Sequence, residues 1–322
     1  MPIKEDHPVQ LTTVSASFSD IDELTHNIAG WDIDWRQLEA GRPHNRIEAI
    51  AGQHTVLQQF RLSHSIHQLG KSPGQSVTFG FSDNQSQLNW HGREIDCPVM
   101  LDFNGESGYE SVSRSDFCGV TVSFSREKFS RIAERLELPA KQLIDTSLPY
   151  LLSGENYALG ELRQYLQRLC ESSHKAKTPK DQHFAMVELD EKLPVRLLTA
   201  LAESSGELCD QPLKVRQKGL RLAVEFIEAN HQCNLGIPDI CAATGLSWRS
   251  LDRAFKECFG IGPKRYLLNL RLIQARRQLK SAPPITKVID VANDLGFWHM
   301  GDFAREYRKM FGELPTESIT RR

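Results

Sequence analysis

No two of the seven cysteines in this 322-residue chain are spaced as a CxxC pair, and their number is odd. This argues against a zinc ribbon or a disulfide framework. Cys97, Cys118, Cys170, Cys209, Cys233, Cys241 and Cys258 are expected as reduced, mostly buried thiols. No apolar run approaches the ~18 residues of a membrane span. The N-terminal MPIKEDHPVQ has neither the basic region nor the apolar core of a signal peptide, so the protein is expected in the cytoplasm with no membrane partner. The phosphate loops GxGxxG and GxxxxGK(S/T) are absent, as is the GxSxG nucleophile elbow, which leaves nucleotide chemistry and serine hydrolysis without their usual supports. His64, His67 and His91 only sketch a metal centre. Positions i and i+3 of a strand face opposite ways, and no acidic ligand stands at a matching spacing. They read as surface or core histidines. No catalytic residue, metal or cofactor is expected.

What is present is an ordinary globular composition, 40% hydrophobic and 25% charged, in a chain long enough for two or three domains. The net charge of −2 conceals a split. Residues 1–213 hold 20 Lys and Arg against 30 Asp and Glu, a net of −10, and residues 214–322 hold 19 against 11, a net of +8. A basic half points to a nucleic-acid contact more than to a merely solvated face.

Residues 1–30 are polar; within them Val14 to Leu24 reads as a strand or turn followed by a short helix capped by Ser19 or Asp20. From about Ile33 to Ser125, short β-branched and aromatic runs alternate with turn clusters. They are Arg46–Ala51, Thr55–Leu62, Ile66–Leu69, Ser76–Phe81, Gln87–His91, Val99–Phe103, Tyr109–Ser113 and Phe117–Phe124. Regular short strands predict a β-barrel or sandwich over residues 1–125. Phe60, Phe79, Phe81, Trp90 and Phe103 either line an apolar pocket there or fill ordinary core. A helical segment follows over 126–202. Ser125 caps a helix to Leu136, and Leu159, Leu162, Leu166 and Leu169 form one stripe of the helix Tyr157–Ser172. Pro194 should kink or divide a helix over Phe184–Ala202. These stripes serve either as core or as a dimerisation surface. Residues 203–214 are small, polar and broken by Gly and Pro, and read as the linker to a domain over 215–322.

That last domain contains one pattern twice. Ile237, Ile240, Cys241, Thr244, Gly245 and Leu246 recur 51 residues later as Val288, Val291, Ala292, Leu295, Gly296 and Phe297. Leu251, Arg253, Phe255, Phe259, Gly260 and Pro263 recur 52 residues later as Phe303, Arg305, Tyr307, Phe311, Gly312 and Pro315. Each copy reads as helix, Gly-containing turn, second helix, which is a helix-turn-helix whose second helix enters the major groove. In the first copy Leu251, Phe255 and Phe259 form the buried stripe, leaving Trp248, Arg249, Asp252, Arg253 and Lys256 on other faces. In the second, Phe303, Tyr307 and Phe311 are buried and His299, Met300, Asp302, Arg305, Arg308 and Lys309 are left outward. Arg suits bidentate contact with guanine and Lys suits phosphate. A helix from Pro263 to Lys280, roughly 27 Å long at ~1.5 Å per residue, joins the two units at nearly the ~34 Å repeat of DNA.

Gly296-Phe297-Trp298-His299, then Phe303, Tyr307, Phe311-Gly312 and Pro315 make residues 215–320 resemble the DNA-binding domain of AraC/XylS-type transcription regulators. The variant is nearest to XylS-like and ethanolamine-utilisation regulators. The resemblance implies base reading by Arg249, Asp252 and Arg253 in the first unit and by His299, Met300, Asp302 and Arg305 in the second. The first should carry more of it, because Met300, Gly301 and Asp302 replace the polar Gln or Ser of many members. It also implies a multi-domain α+β protein: an N-terminal cupin-like β-barrel sensor, a helical dimerisation segment, and an all-α domain with two helix-turn-helix units. The implied function is a promoter-binding activator controlled by a small-molecule effector and touching RNA polymerase, with a homodimer among its states. The alternatives are a ligand-independent architectural DNA-binding protein and a barrel enzyme fused to a DNA-binding module.

Overall fold

A computed structural model describes residues 11–82, 87–95, 99–138, 151–153, 157–173, 178–203, 215–230, 235–283 and 285–320. Residues 204–214 of the expected linker and Cys97, Cys209 and Cys233 lie outside the described residues. The other four cysteines are free thiols, with Cys170 and Cys258 buried.

The first strand, β1 (Thr12–Phe18), leads into α1 (Ile21–His26), capped by Asp20 through its carboxylate, which accepts from Asp22 N at 2.9 Å. The strands that follow are β2 (Asp32–Gln37), β3 (Asn45–Ala51), β4 (Thr55–Leu62), β5 (Ile66–Lys71), β6 (Ser76–Ser82), β7 (Leu88–Trp90), β8 (Arg93–Ile95), β9 (Val99–Asp102), β10 (Tyr109–Ser113) and β11 (Phe117–Ser125). With β12 (Leu151–Ser153) they form two antiparallel sheets, ordered β1-β3-β4-β11-β6-β9-β12 and β2-β5-β10-β7-β8. The β-rich domain is as expected; a closed barrel is not what forms. No strand pairing joins the sheets among the described residues. The edges β1 and β2 that face one way are separated by α1, whose Ile21 and Leu24 fill the gap in one cluster with Phe18, Trp35 and Phe60.

Alternation along the strands decides what each sheet face covers. On β11, Val122 pairs with Leu57 on one side and Phe79 on the other. These residues share a core with the helical segment: α2 (Arg126–Arg135), α3 (Tyr157–Ser173), α4 (Pro179–Val187) and α5 (Leu193–Glu203). Ser125 caps α2 as expected, accepting from Lys128 N at 3.5 Å. The leucines at 159, 162, 166 and 169 are all buried against the larger sheet. The helix expected over 184–202 is divided, one of the two outcomes expected of Pro194, and not kinked. The helix starts earlier, at Pro179, and a π-turn over Glu188–Lys192 separates α4 from α5. Pro194 has no N–H to give and its ring crowds the carbonyl four residues back, so the wider turn accommodates it. The turn also brings Asp190 onto the β3–β4 hairpin, where its carboxylate accepts from Gln53 N at 2.7 Å and His54 N at 3.0 Å.

The C-terminal helices are α6 (Val215–Ala229), α7 (Ile237–Thr244), α8 (Trp248–Phe259), α9 (Pro263–Ser281), α10 (Val288–Asp294), α11 (Met300–Phe311) and a short α12 (Pro315–Thr320) that the sequence pattern did not reveal. Their cores are two: one around Phe255, Phe259 and Tyr266, the other around Phe303, Tyr307 and Met310. Leu38, which follows β2, and Val112 of β10 in the smaller sheet belong to the first of these cores. The molecule is therefore layered as helices, larger sheet, smaller sheet, C-terminal helices. No helix among the described residues is long and apolar enough to cross a membrane.

Candidate nucleic-acid interface

Each repeat unit is a short helix, a turn and a longer amphipathic helix. Gly245 and Gly296 end α7 and α10 at φ +67° and +78°, and Gly260 and Gly312 end α8 and α11 at +74° and +69°. This left-handed backbone favours glycine, which is why the same two glycines occur in both copies. Ser247 caps α8, accepting from Ser250 N at 3.2 Å; His299 stands at the N-cap position of α11 without a side-chain cap bond. The expected stripes are buried: Leu251, Phe255 and Phe259 in α8, Phe303, Tyr307 and Phe311 in α11.

The opposite faces are open. Trp248, Arg249, Arg253 and Lys256 are exposed on α8 and Asp252 is half-buried. Two of the cations already have partners within the helix: Arg253 Nε meets Glu257 Oε1 at 2.8 Å, and Lys256 Nζ meets Asp252 Oδ2 at 2.7 Å. Such exposed i,i+4 pairs contribute about 0.3–0.5 kcal/mol, so a phosphate or base edge can replace the carboxylate at little cost. Arg249 has no ionic partner among the described residues. On the second unit Trp298, His299, Asp302, Arg305, Arg308 and Lys309 are exposed, and Arg305 pairs with Asp302 at 2.7 Å. Met300 differs from its companions: it is half-buried and packs against the second core.

The linking helix α9 is more than a spacer. Asp20, Asp22 and Asp34 of the β-rich domain receive Arg276, Arg277 and Lys280 from it. Arg276 Nη1 reaches Asp20 at 2.9 Å, Arg277 reaches Asp22 and Asp34 at 2.8 Å each, and Lys280 pairs with Asp20. Arg276 also holds Glu313 at 3.0 Å, tying the base of the second unit to the same point. From β2, Arg36 forks onto Glu228 of α6. Burial works against the charge of Asp34, but Arg36 and Arg277 together hold its carboxyl below the usual range. Asn269 Nδ2 donates to Leu38 O at 2.8 Å. The ends of both outward helices are held as well. Arg114 donates to Glu257 O at 2.8 Å, and Gly41 N donates to Met310 O at 3.1 Å, satisfying last-turn carbonyls that a helix leaves unpaired. Of these docking residues only Asp20 stood out in the sequence, and as a helix cap, not as a docking group. Their one trace was the charge split, which serves the domain contact as well as any contact with DNA.

The aromatic candidates of the β-rich domain separate. Phe60, Phe81, Trp90 and Phe103 line one cavity between the two sheets. Phe79 does not; it lies in the core shared with the helical segment, 6.1 Å from the Phe129 ring. His64 is in a turn beside Ser63, and His67 is buried in a contact with α9. No group of three metal-ligating side chains occurs among the described residues.

Residues 240–321 match the family model described as "Helix-turn-helix domain". The C-terminal region is 38% identical over 101 residues to a Rhodococcus erythropolis protein described as "Probable thc operon regulatory protein". It is 37% identical over 100 residues to "XylDLEGF operon transcriptional activator 1" of Pseudomonas putida. Each alignment takes in 31% of this chain and 30% of the relative. A solved Chromobacterium violaceum transcriptional regulator with an AraC-type DNA-binding domain is 34% identical over 32% of this chain and 91% of its own, with a TM-score of 0.30.

Proposed function

Because residues 240–321 form a helix-turn-helix domain of the AraC/XylS type, we propose that this chain is a sequence-specific, DNA-binding regulator of transcription. It is not an enzyme. It acts in the cytoplasm on double-stranded promoter DNA, reading it with α8 and α11, and it activates transcription by touching RNA polymerase. The β-rich domain senses a small-molecule effector. Self-association, where it occurs, uses the helical segment, whose Phe184 is exposed while its leucine stripes are spent on the core.

The observation that carries this reading is the pair of outward faces, Trp248–Arg249–Arg253 and His299–Arg305–Arg308, on two units held by one linking helix. Fluorescence anisotropy of the full chain tests it. Duplexes tiling the DNA upstream of its own gene are compared with scrambled duplexes of the same composition. One upstream duplex should bind at least about 10³-fold more tightly than its scrambled partner. Equal affinity for all duplexes would refute sequence-specific reading.

A further inference from the structure

The cavity between the sheets has a distinct chemistry. Without a ligand its volume is about 50 Å³, room for a few waters and about a third of the ~150 Å³ that holds a benzene ring, so a ring enters only as the side chains of the wall move apart. Its walls are aromatic: Trp31, Trp35, Phe60, Trp90, Phe103 and Tyr109. Trp90 and Tyr109 stack with centroids 5.7 Å apart, and Phe103 meets Trp90 edge-on at 4.9 Å. No Asp, Glu, Lys, Arg or His is among the lining residues.

Most polar groups of the wall are already paired. Trp35 Nε1 donates to Tyr109 Oη at 2.9 Å, Ser111 Oγ donates to Gln68 Oε1 at 3.3 Å, and Gln68 Nε2 donates to Ser113 Oγ at 3.0 Å. Among the described residues, two buried polar atoms of the lining have no partner: Trp90 Nε1 and Thr121 Oγ1. The Trp90 side chain is 1% exposed. An indole N–H can only donate, and leaving it unmet costs about 1–3 kcal/mol.

From the aromatic walls, the absence of charge and the unmet indole N–H, we infer that this cavity takes a small uncharged aromatic compound bearing one oxygen acceptor, of the aryl ketone or phenol ether kind. The ring takes the place of ring–ring contacts within the wall, which part to admit it, and makes stacking and edge contacts of its own. The oxygen accepts from Trp90 Nε1, and the Thr121 hydroxyl is the second polar group at hand. A carboxylate of the same size is rejected because no cation meets it and its desolvation goes uncompensated. A sugar is rejected because its several hydroxyls would find two partners. The site has a direct line to the DNA-binding domain. Trp35 is in its wall, and on the same strand Trp35 O accepts from Arg277 while Asp34 and Arg36 face α9 and α6. The inference rests on the reading of the β-rich domain as a sensor.

Titration calorimetry of the full chain without DNA tests the ligand class, using acetophenone, benzoate and glucose as probes. Acetophenone should bind saturably, with benzoate and glucose at least tenfold weaker. Trp90→Phe keeps a ring but removes the donor, and should weaken acetophenone about tenfold; Thr121→Val is the second, nearly isosteric variant. Thermal unfolding of both variants separates lost ligand contact from lost fold. Benzoate or glucose binding more tightly than acetophenone, or acetophenone binding unchanged in a folded Trp90→Phe, would overturn the inference. Anisotropy on the upstream duplex is read separately. Loss of sequence preference there would fall on the proposed function and not on the ligand class.

Discussion

His67 on β5 and Tyr266 on the linking helix meet at 2.9 Å from Nδ1 to Oη, both fully buried, and His67 Nε2 contacts Glu110 at 3.0 Å. A carboxylate can only accept, so Nε2–H donates to it, and in the tautomer this leaves the Tyr266 hydroxyl donates to Nδ1. Burial acts against the charge of Glu110, yet the His67 hydrogen bond holds its carboxyl below the ordinary range. The bond joins the two domains through their cores. Tyr266→Phe keeps the ring and strands Nδ1, and should lower stability by about 1–3 kcal/mol, read as a drop in the urea midpoint. An unchanged midpoint would show that the bond contributes nothing to the domain contact.

The Arg36–Glu228 fork is mostly withdrawn from water, with the arginine side chain 10% exposed. Removing one partner leaves a charge without compensation. Glu228→Ala should cost roughly 2 kcal/mol, less than the 3–5 kcal/mol of a fully buried pair, because Glu228 is partly exposed and Asp34 still holds Arg36. Arg36→Ala combined with Glu228→Ala should be milder than the sum of the single changes. Chemical denaturation of the three variants as a double-mutant cycle measures this, and additive losses would contradict a direct coupling.

Acid should loosen the β-rich domain before its carboxylates titrate. Burial, assisted by Arg93 and opposed by Glu110, pushes His91 down to about 4, and its Nε2 accepts from Glu110 N at 3.4 Å. The unfolded chain takes up this proton near pH 6.5, whereas the folded chain refuses it until about pH 4. Stability therefore falls as pH drops through that window, by up to about 1.4 kcal/mol per pH unit. His91 has φ +48°, which Asn tolerates. His91→Asn should flatten the slope of the urea midpoint between pH 6.5 and 4.5; an unchanged slope would assign the effect elsewhere.

The two outward helices should differ in what they contribute. Arg253→Ala should cost roughly 1–3 kcal/mol on the preferred duplex and little on random DNA if the side chain reads a base. Met300→Ala should act mainly through stability, since Met300 packs on the second core. Affinity should fall steeply with salt for both duplexes. Arg276, Arg277 and Lys280 are engaged with Asp20, Asp22 and Asp34, so the salt slope should report fewer phosphate contacts than the net charge of +8 on residues 214–322 suggests. A slope matching every basic residue of the domain would contradict the docking.

The repeat was legible because its signals are local. Gly245, Gly296, Gly260 and Gly312 mark positive φ, Ser247 marks a cap, and Phe255 and Tyr307 keep helical spacing. The β-rich domain was legible as strands but not as an architecture. β2, which reads DIDWRQ, alternates polar and apolar but over too few residues to declare itself, and it is an edge of the smaller sheet that does not pair with β1, which leaves the barrel open. Phe79 and Phe103 are alike in composition, and only strand register assigns one to the helical layer and the other to the cavity. Asp20, Arg36, Arg276 and Arg277 meet partners 37 to 260 residues away in sequence. Pairing over such separations leaves no periodic trace, and α12 is too short to leave one.

Hydroxyl-radical footprinting of the full chain on its preferred upstream duplex tests the central claim most directly. Two units joined by the 19-residue helix α9, about 28 Å long at ~1.5 Å per residue, should protect two backbone segments about one helical turn apart on one face of the DNA. Arg249→Ala with Arg253→Ala should erase one segment, and Arg305→Ala with Arg308→Ala the other. A single protected segment that responds only to the α8 variants, or uniform protection without phase, would contradict two reading units acting on one duplex.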